Sequence, residues 1–310
     1  MAGDAGGKGR RTIKRVLPIA VSVLLLAGLW WRIDLHAVLG AVRQARPAWV
    51  AAGIVALVPL MWGSAIRFQW LSRAHIGTAL SCRLLLAAST LNLFLPSKMG
   101  DLAKAWVLDR RHGFDGKFAL ALVVLEKMLD LASLLVWGVL ALAWMRPGDP
   151  LFLLGAAGVV AVLALLMFLM TPLSARFTLP RRLGAFSDEW HGLIRWFWSD
   201  RRRALATWGL SLALWAGHLA QLWLFARALA YVPVASSAAA ATLSILAGLL
   251  PFTMGGIGIR DLAIVYFFRA WLSPAQCAAL GMLATLRYLL PAIVGLPFVS
   301  DYWKPAERAA

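Results

Sequence analysis

An apolar stretch broken by proline and glycine occurs twice in the chain and constrains its fold more than any other feature. Residues 91–100 (LNLFLPSKMG) align without gaps with residues 246–255 (LAGLLPFTMG), and both then continue into Asp-Leu-Ala, at Asp101 and, after five further residues, at Asp261. Proline removes a backbone donor and glycine frees the turn. Each copy therefore predicts a short apolar helix that stops, turns and leads into a second helix.

Broken apolar segments of this kind have a restricted meaning in a membrane. Unpaired backbone at membrane depth is tolerated only where it is buried in protein or lines a cavity. Paired, interrupted segments at matching places in two halves of a chain indicate the binding site of a transporter. The alternative is that both stretches are ordinary loops between full spans and resemble each other by chance. We favour the repeat, because the identities fall at matching positions.

The composition assigns the whole chain to the bilayer. Hydrophobic residues make up 61% of the sequence and charged residues 15%, the mean hydropathy is +0.75, and several apolar runs reach the ~20 residues that cross a membrane. These features predict an all-α, polytopic integral membrane protein of about six transmembrane helices plus two re-entrant helical hairpins in an inverted repeat. Two cysteines form neither a disulfide framework nor a metal cluster, and we expect no cofactor and no metal.

The predicted organisation has three parts. Residues 1–15 are a basic, Gly-rich and disordered N-terminus, residues 16–300 are the transmembrane domain, and residues 301–310 are a short polar tail. Val16–Trp31 reads as a retained first span rather than a cleaved signal peptide. Within the domain, repeat A covers about 48–145 and repeat B about 204–299, and a basic, polar loop at 174–203 joins them.

Basic residues predict the orientation. With each interrupted element leaving the membrane on the side it entered, 20 Lys and Arg lie in cytoplasmic segments, 6 outside and 5 at membrane depth. This bias predicts a multi-pass protein with both termini cytoplasmic, and we expect it in the bacterial inner (plasma) membrane. The net charge of +17 could suggest nucleic acid, but the basic residues flank apolar runs, which fits anionic lipid head groups better. We expect no nucleic acid partner.

Nine charged residues fall at predicted membrane depth. A charge there costs at least ~2.5–3.5 kcal/mol, so such residues usually face a bundle interior or a pathway. The alternative is a purely structural role, in which these residues only neutralise one another and fix helix register. The nine residues are Lys98, Asp101, Lys104, Glu126, Lys127, Asp130, Arg260, Asp261 and Arg287.

The spacing of these charges predicts contacts. Glu126 and Asp130 lie on one helix face, and Lys127 can pair with Asp130 at i,i+3. The offset of 160 residues between Asp101 and Asp261 puts Arg287 one residue beyond the counterpart of Glu126, which predicts an interhelical pair between Glu126 and Arg287.

Charges at the broken helix ends predict an anion site. Backbone N–H groups and the helix dipole favour anions there, so the adjacent cations Lys98 and Arg260 suit a phosphate, and neighbouring carboxylates could balance an amine or a proton. His218 and Gln221, one turn apart, read as a satisfied polar pair in a packed span rather than as ligands.

The same residues carry a family resemblance. The signatures are Asn92 to Pro96, Gly100-Asp101 with Lys104, the segment from Leu125 to Asp130, and Pro251 with the segment from Gly255 to Asp261. In these the chain resembles the membrane domain of lysylphosphatidylglycerol synthases, a flippase-like family that includes stand-alone proteins. Asp stands at 101 and 261 where the family would have Glu, and Lys at 98, 104 and 127 where Arg is commoner. Lysine weakens the case for bidentate phosphate binding.

The resemblance implies a protein that moves or handles polar lipids. We expect translocation of an anionic or zwitterionic polar lipid or lipid-linked head group, with Lys98, Arg260 and Arg287 holding the phosphate and the carboxylates pairing and gating. Because the chain ends at Ala310 without a soluble aminoacyl-transferring domain, we expect no enzyme activity. The candidate substrate-binding residues are Lys98, Asp101, Lys104, Glu126, Asp130, Arg260, Asp261 and Arg287.

Two other functions remain open. The first is a non-transporting membrane subunit that presents lipid to a glycosyl- or aminoacyl-transferase partner, with residues 174–203 as the docking segment. The second is a membrane-embedded enzyme acting on a lipid phosphate, although the sequence carries no metalloprotease or serine hydrolase motif. The segment Gly255-Gly256-Ile257-Gly258 follows no strand, so it does not indicate a nucleotide-binding loop.

Overall fold

The computed structural model describes residues 35–95, 99–145, 150–176, 184–249 and 258–303. These residues form helices and no strands, which confirms the all-α prediction. The predicted first span, Val16–Trp31, lies outside the described residues, as do residues 96–98 of the first Pro-to-Gly turn and the whole of the second, 251–255.

The helices follow the order of the predicted repeats, with repeat A in α2–α6 and repeat B in α9–α12. A short 3₁₀ helix at Pro172–Arg176 follows α7. The bounds are α1 (Leu35–Gln44), α2 (Pro47–Val55), α3 (Leu57–Leu71), α4 (Thr78–Phe94), α5 (Gly100–His112), α6 (Gly116–Met145), α7 (Pro150–Leu169), α8 (Gly184–Ser199), α9 (Arg201–Leu229), α10 (Val234–Gly248), α11 (Ile259–Phe268) and α12 (Pro274–Trp303).

Four helical stretches are long and apolar enough to cross a membrane: Pro47–Leu71 in α2 and α3, Phe152–Leu169, Arg201–Leu229 and Pro274–Ser300. The chain is therefore a polytopic membrane protein. Helix α6 matches α12 in length at 30 residues and carries three of the predicted charges, whereas α12 carries one, Arg287. By contrast, α4 and α10 have 17 and 15 residues, or about 26 and 23 Å at the α-helical rise, less than the ~30 Å hydrocarbon core. Their length suits the arms of helical hairpins.

Antiparallel packing joins the first helices of the two repeats. Gly53 of α2 lies against Phe225 of α9, and Gly217 of α9 lies against Leu60 of α3. Residue numbers rise along one partner as they fall along the other, so the helices run antiparallel. The Gln221 side chain fixes this interface by donating to the Gly53 carbonyl at 2.7 Å. Equivalent helices of inverted halves would have this relation.

The hairpin arms exchange partners between the repeats. Helix α4 packs against α12, and α10 packs against α6. Gly295 of α12 lies on the Leu86 carbonyl of α4, while Gly138 of α6 lies on the Leu246 side chain of α10. In both contacts a glycine of a long helix lies against the hairpin arm of the other repeat. The duplicated sequence thus has a duplicated packing arrangement.

The segment between the repeats, residues 174–203, contains a helix, although the sequence predicted a polar loop. Residues 184–199 form α8, which packs on α6. Trp190, Leu193, Ile194 and Phe197 are buried in the same core as Leu122 of α6. Their i, i+3, i+4, i+7 spacing defines an apolar helix face, which the high count of charges in this segment concealed.

Candidate functional site

A cavity of about 380 Å³ lies between the two repeats. Helices α3–α6 of one half and α9–α12 of the other contribute to its lining. Its volume falls within the range of about 300–1,000 Å³ that is common for small-molecule sites. The charged side chains that line it are Arg67, Asp101, Glu126, Lys127, Asp130, Arg260 and Arg287.

Ion pairs of alternating sign run along the repeat A side of the cavity. Arg67 Nη2 of α3 lies 2.7 Å from Asp130 Oδ1 of α6. Asp130 also lies 3.5 Å from Lys127 Nζ, as the i,i+3 spacing predicted. Lys127 in turn reaches across to Asp101 Oδ2 of α5 at 3.2 Å. Both Lys127 and Asp130 keep part of their surface open, at 44% and 24% exposed.

The same series continues into the protein interior. Lys104 Nζ lies 3.3 Å from Asp101 Oδ1 and contacts the Glu126 carboxylate directly. The Lys104 side chain is 0% exposed and that of Glu126 2%, and the Lys104 ammonium also lies 4.9 Å from the centre of the Phe68 ring. We call the six residues Arg67, Asp130, Lys127, Asp101, Lys104 and Glu126 the ion-pair chain; it holds three cations and three carboxylates.

Repeat B has one compact ion pair at the start of α11. Arg260 donates through Nη2 (2.8 Å) and Nε (3.2 Å) to Asp261 Oδ1. Asp261 Oδ2 accepts the Gly258 N–H at 3.0 Å, which caps the helix, and Gly258 itself has a left-handed φ of 101°. Arg260 also donates to Thr285 of α12 at 3.0 Å. Gly281 makes room for Asp261, because a Cβ there would lie 2.8 Å from Oδ1.

Arg287 departs from its predicted pairing. The predicted pair between Glu126 and Arg287 is wrong, because Glu126 pairs with Lys104 and no described carboxylate lies within 4.0 Å of Arg287. Arg287 is 9% exposed, and its Nε has no hydrogen-bond acceptor among the described residues. The reason is the exchange of hairpin arms, since α6 and α12 each pack on the other repeat's arm rather than closely on each other.

The repeat offset explains why Arg287 lacks a carboxylate. Its counterpart 160 residues earlier is Lys127, which has Asp130 three positions further along. Three positions after Arg287 the chain has Leu290. Equivalent cations therefore face one cavity from both repeats, and only the repeat A cation is paired within its own helix.

The predicted site residues separate into three groups. Asp101, Glu126, Asp130, Arg260 and Arg287 line the cavity. Lys104 and Asp261 lie behind its wall and hold lining residues in place. Lys98 lies outside the described residues.

Arg67 and His218 line the cavity but are not among the predicted site residues. Arg67 is buried, pairs with Asp130 and donates to Ser211 of α9 at 3.1 Å. Apolar residues continue past it to Leu71, which was the available signal that the helix had not ended. His218 was expected to form a satisfied pair with Gln221. It lines the cavity, its ring contacts that of Trp215, and its Nδ1 has no hydrogen-bond partner among the described residues.

The cavity combines a charged interior with an apolar rim. Leu93, Leu249 and Tyr288 line it while keeping 41%, 41% and 38% of their surface exposed. Leu93 and Leu249 lie at the ends of α4 and α10, so the rim comes from both hairpins. Such a site suits a ligand with a polar head and an apolar body.

The carboxylates of the site are committed to cations. Within the described ranges, no three His, Cys, Asp or Glu side chains converge where a metal ion could bind. Asp101, Glu126, Asp130 and Asp261 each lie within 4.0 Å of a Lys or Arg. These side chains can therefore recognise a charged group.

Comparison with known proteins identifies the family of the chain. Glycosyltransferase AglD of Haloferax volcanii is 26% identical, in an alignment that covers 87% of this chain and 51% of the relative. The chain therefore spans about half the length of the curated relative it matches. The model of the lysylphosphatidylglycerol synthase TM region matches residues 15–295, nearly the whole sequence. That match confirms the resemblance in the motifs, and the chain belongs to the lysylphosphatidylglycerol synthase TM region family.

Proposed function

We propose that the chain translocates a phosphate-bearing polar lipid between the leaflets of the inner membrane, with the lipid head group held in the cavity. Membership of the family points to a role connected with membrane lipids. The observation that carries the proposal is Arg287, a buried cation that lines the cavity and has no described carboxylate partner. An uncompensated buried charge is costly, so the site favours a ligand that supplies an anion.

Two guanidinium groups would bind the phosphate. Arg287 Nε and Arg260 Nη1 are buried without acceptors in the described structure, and both residues line the cavity. Guanidinium matches the geometry of phosphate oxygens, and each hydrogen bond involving a charged group contributes about 1.5–3 kcal/mol. Lys98, beside the first duplicated turn, is proposed as a third cation.

The acyl chains would leave through the apolar rim. Leu93, Leu249 and Tyr288 are exposed on the cavity side, where they could contact the first methylene groups of a lipid. A small soluble anion would gain nothing from these contacts, so the rim favours a lipid phosphate over a free one.

The ion-pair chain offers a way to release and recapture the head group. A phosphate near Lys127 and Arg67 would compete with Asp130, the shared and partly exposed carboxylate between them. Lys104 and Glu126 are fully buried and would stay paired. Asp101 and Asp130 would thus act as the gating carboxylates, and the buried pair would act as a fixed support.

Access from alternate sides would use the duplicated architecture. Each long helix packs on the hairpin arm of the other repeat, so a rocking motion of one half against the other would move both hairpin ends at the cavity rim. With the orientation predicted from basic residues, both termini would be cytoplasmic.

Reconstitution tests this function directly. In proteoliposomes with a fluorescent anionic phospholipid, the wild type should speed leaflet exchange over protein-free vesicles. Arg260→Gln and Arg287→Gln should each slow it, while Arg202→Gln should not, because Arg202 is exposed at the start of α9. No exchange by the wild type for any head group would refute translocation, as would equal losses in Arg202→Gln and Arg287→Gln.

A lipid-presenting subunit is the second candidate. It is favoured by one observation, that the chain matches about half of a protein named as a glycosyltransferase. In that case the purified chain should bind lipid without exchanging it between leaflets, and a transferase partner should use the bound lipid as its acceptor. Turnover of a lipid phosphate by the chain alone would instead support a membrane-embedded enzyme.

A further inference from the structure

One titratable group of the cavity has no role in the proposed function. His218 lines the cavity, and its Nδ1 is buried without a hydrogen-bond partner among the described residues. All five histidines of the sequence are described, and His218 alone lies both in a membrane-spanning stretch and in the cavity lining. Ionisable side chains at membrane depth often belong to ion pathways or proton relays. Histidine is also the side chain that ordinarily changes its charge between pH 5 and 8.

The surroundings of His218 leave its ring nitrogens available to a proton. The ring packs edge-on against Trp215, with 5.6 Å between the ring centres. Gln221, one turn further along α9, has a buried Oε1 without a hydrogen-bond donor among the described residues, and this oxygen could accept from a protonated ring. The cavity carboxylates differ, because each described one is held within 4.0 Å of a Lys or Arg. Protonating any of them would break an ion pair.

Charged and titratable groups face His218 from three of the helices packed on α9. They are Arg67 of α3, Glu126, Lys127 and Asp130 of α6, and Arg287 and Tyr288 of α12. Helices α2 and α10 carry no charged residue, and α1 and α8 contact α9 near its ends, at Leu229 and Arg203. Within the described structure, no carboxylate without a cation is left to balance a proton on His218. An anion entering the cavity would supply that balance.

We propose that His218 binds a proton together with the anionic head group and releases both on the opposite side, which couples lipid transport to protons. This inference rests on the proposed function and names what drives the same site. A bound anion favours the protonated form of a neighbouring imidazole. By linkage, the proton then strengthens binding of the anion by the same factor.

The proton step is chemically simple. A lone pair of the neutral imidazole forms one N–H bond with a proton from water, and that bond breaks again on release. No electrons are transferred and no other reactant is needed. The anion and the proton enter as a neutral pair, which lowers the cost of placing charge in a poorly solvated site.

Lipid binding measured against pH tests the proton site. A fluorescent phosphatidylglycerol is titrated into the full chain in neutral detergent between about pH 5 and 8, the range in which histidine titrates. A phosphodiester is chosen because it lacks the second ionisation near pH 6 of a phosphomonoester. The wild type should bind more weakly as the pH rises, by up to about tenfold per pH unit, the slope for one proton taken up on binding. In weak buffer, a pH indicator should show uptake of about one proton per bound lipid.

Two histidine variants locate the proton. His218→Gln keeps a neutral polar side chain and should bind the probe with neither pH dependence nor proton uptake. The matched control is His191→Gln on α8, whose ring lies 3.2 Å from the Ser187 hydroxyl and does not line the cavity; it should keep both signals. A pH dependence retained in His218→Gln would overturn the inference. Probe binding by the wild type without proton uptake would also overturn it, and that result requires no variant to fold.

Transport assays separate this inference from the proposed function. In proteoliposomes, a pH gradient should bias the distribution of the probe between the leaflets for the wild type and not for His218→Gln. Leaflet exchange without proton uptake or an effect of the gradient would overturn the coupling and leave translocation standing. Proton-linked binding without exchange would refute translocation and leave the proton site at His218. Excess sulfate should not displace the probe, and its displacement would show that the site takes a free anion rather than a lipid.

Discussion

The contact between Lys104 and Glu126 makes the strongest stability prediction, because both side chains are almost wholly excluded from solvent. Glu126→Gln keeps the shape and removes the charge, leaving Lys104 with Asp101 at 3.3 Å. Breaking a buried pair costs about 3–5 kcal/mol of stability. Because Lys104 keeps Asp101 as a partner, the loss in Glu126→Gln should lie near the lower end of that range. Lys104→Met leaves Glu126 with no other cation within 4.0 Å among the described residues, so its loss should lie near the upper end.

The double variant separates pairing from packing. Lys104→Met with Glu126→Gln removes both charges and leaves Asp101 paired with Lys127. Neutral replacements for a buried pair often cost little, so the double loss should fall at least about 2 kcal/mol below the sum of the single losses, a coupling typical of contacting residues.

Unfolding by denaturing detergent in mixed micelles measures these free energies. Asp188→Asn on the exposed face of α8 is the matched control and should change stability by no more than about 0.5 kcal/mol. Additive losses in the Lys104 and Glu126 cycle would refute the pairing and, with it, the ion-pair chain as a set of coupled contacts.

Three further predictions follow from packing and orientation. Gly295→Ala should destabilise by about 1–3 kcal/mol, because its methyl group would overlap the Leu86 backbone carbonyl, whereas Gly155→Ala has open space around it and should be neutral or slightly stabilising when both melts are compared. Leu193→Ala should cost about 2–5 kcal/mol if α8 is docked on the core, and an unchanged melt would contradict that docking. A single cysteine at Gly148 should label from outside intact cells and one at Ala5 only after the membrane is opened; labelling of both from the same side would contradict the inverted orientation.

The sequence predicted the repeat and the gathering of charges for a physical reason. Charges are too costly in a bilayer to be scattered, so residues such as Asp101, Glu126 and Arg260 had to meet in a shielded place. The identities at 91–100 and 246–255 marked equivalent positions, and the arms that end in them, α4 and α10, each pack on the long helix of the other repeat.

Partners across the structure were harder to predict. A linear offset identifies equivalent residues but gives no information on which helices touch. Because the hairpin arms are exchanged, Glu126 pairs with Lys104 rather than with Arg287. Arg67 was missed because a charge near the end of an apolar run looks like a loop boundary. Only its pairing with Asp130 reveals that the helix continues and that its charge is compensated.

Photo-cross-linking with a phosphatidylglycerol analogue that carries a diazirine in its head group tests the central claim most directly. The account predicts cross-links to cavity residues such as Trp215 and Thr285, and their strong reduction in Arg287→Gln. Cross-links confined to lipid-facing positions such as Leu154 on α7, which is 71% exposed, with no effect of Arg287→Gln, would contradict it.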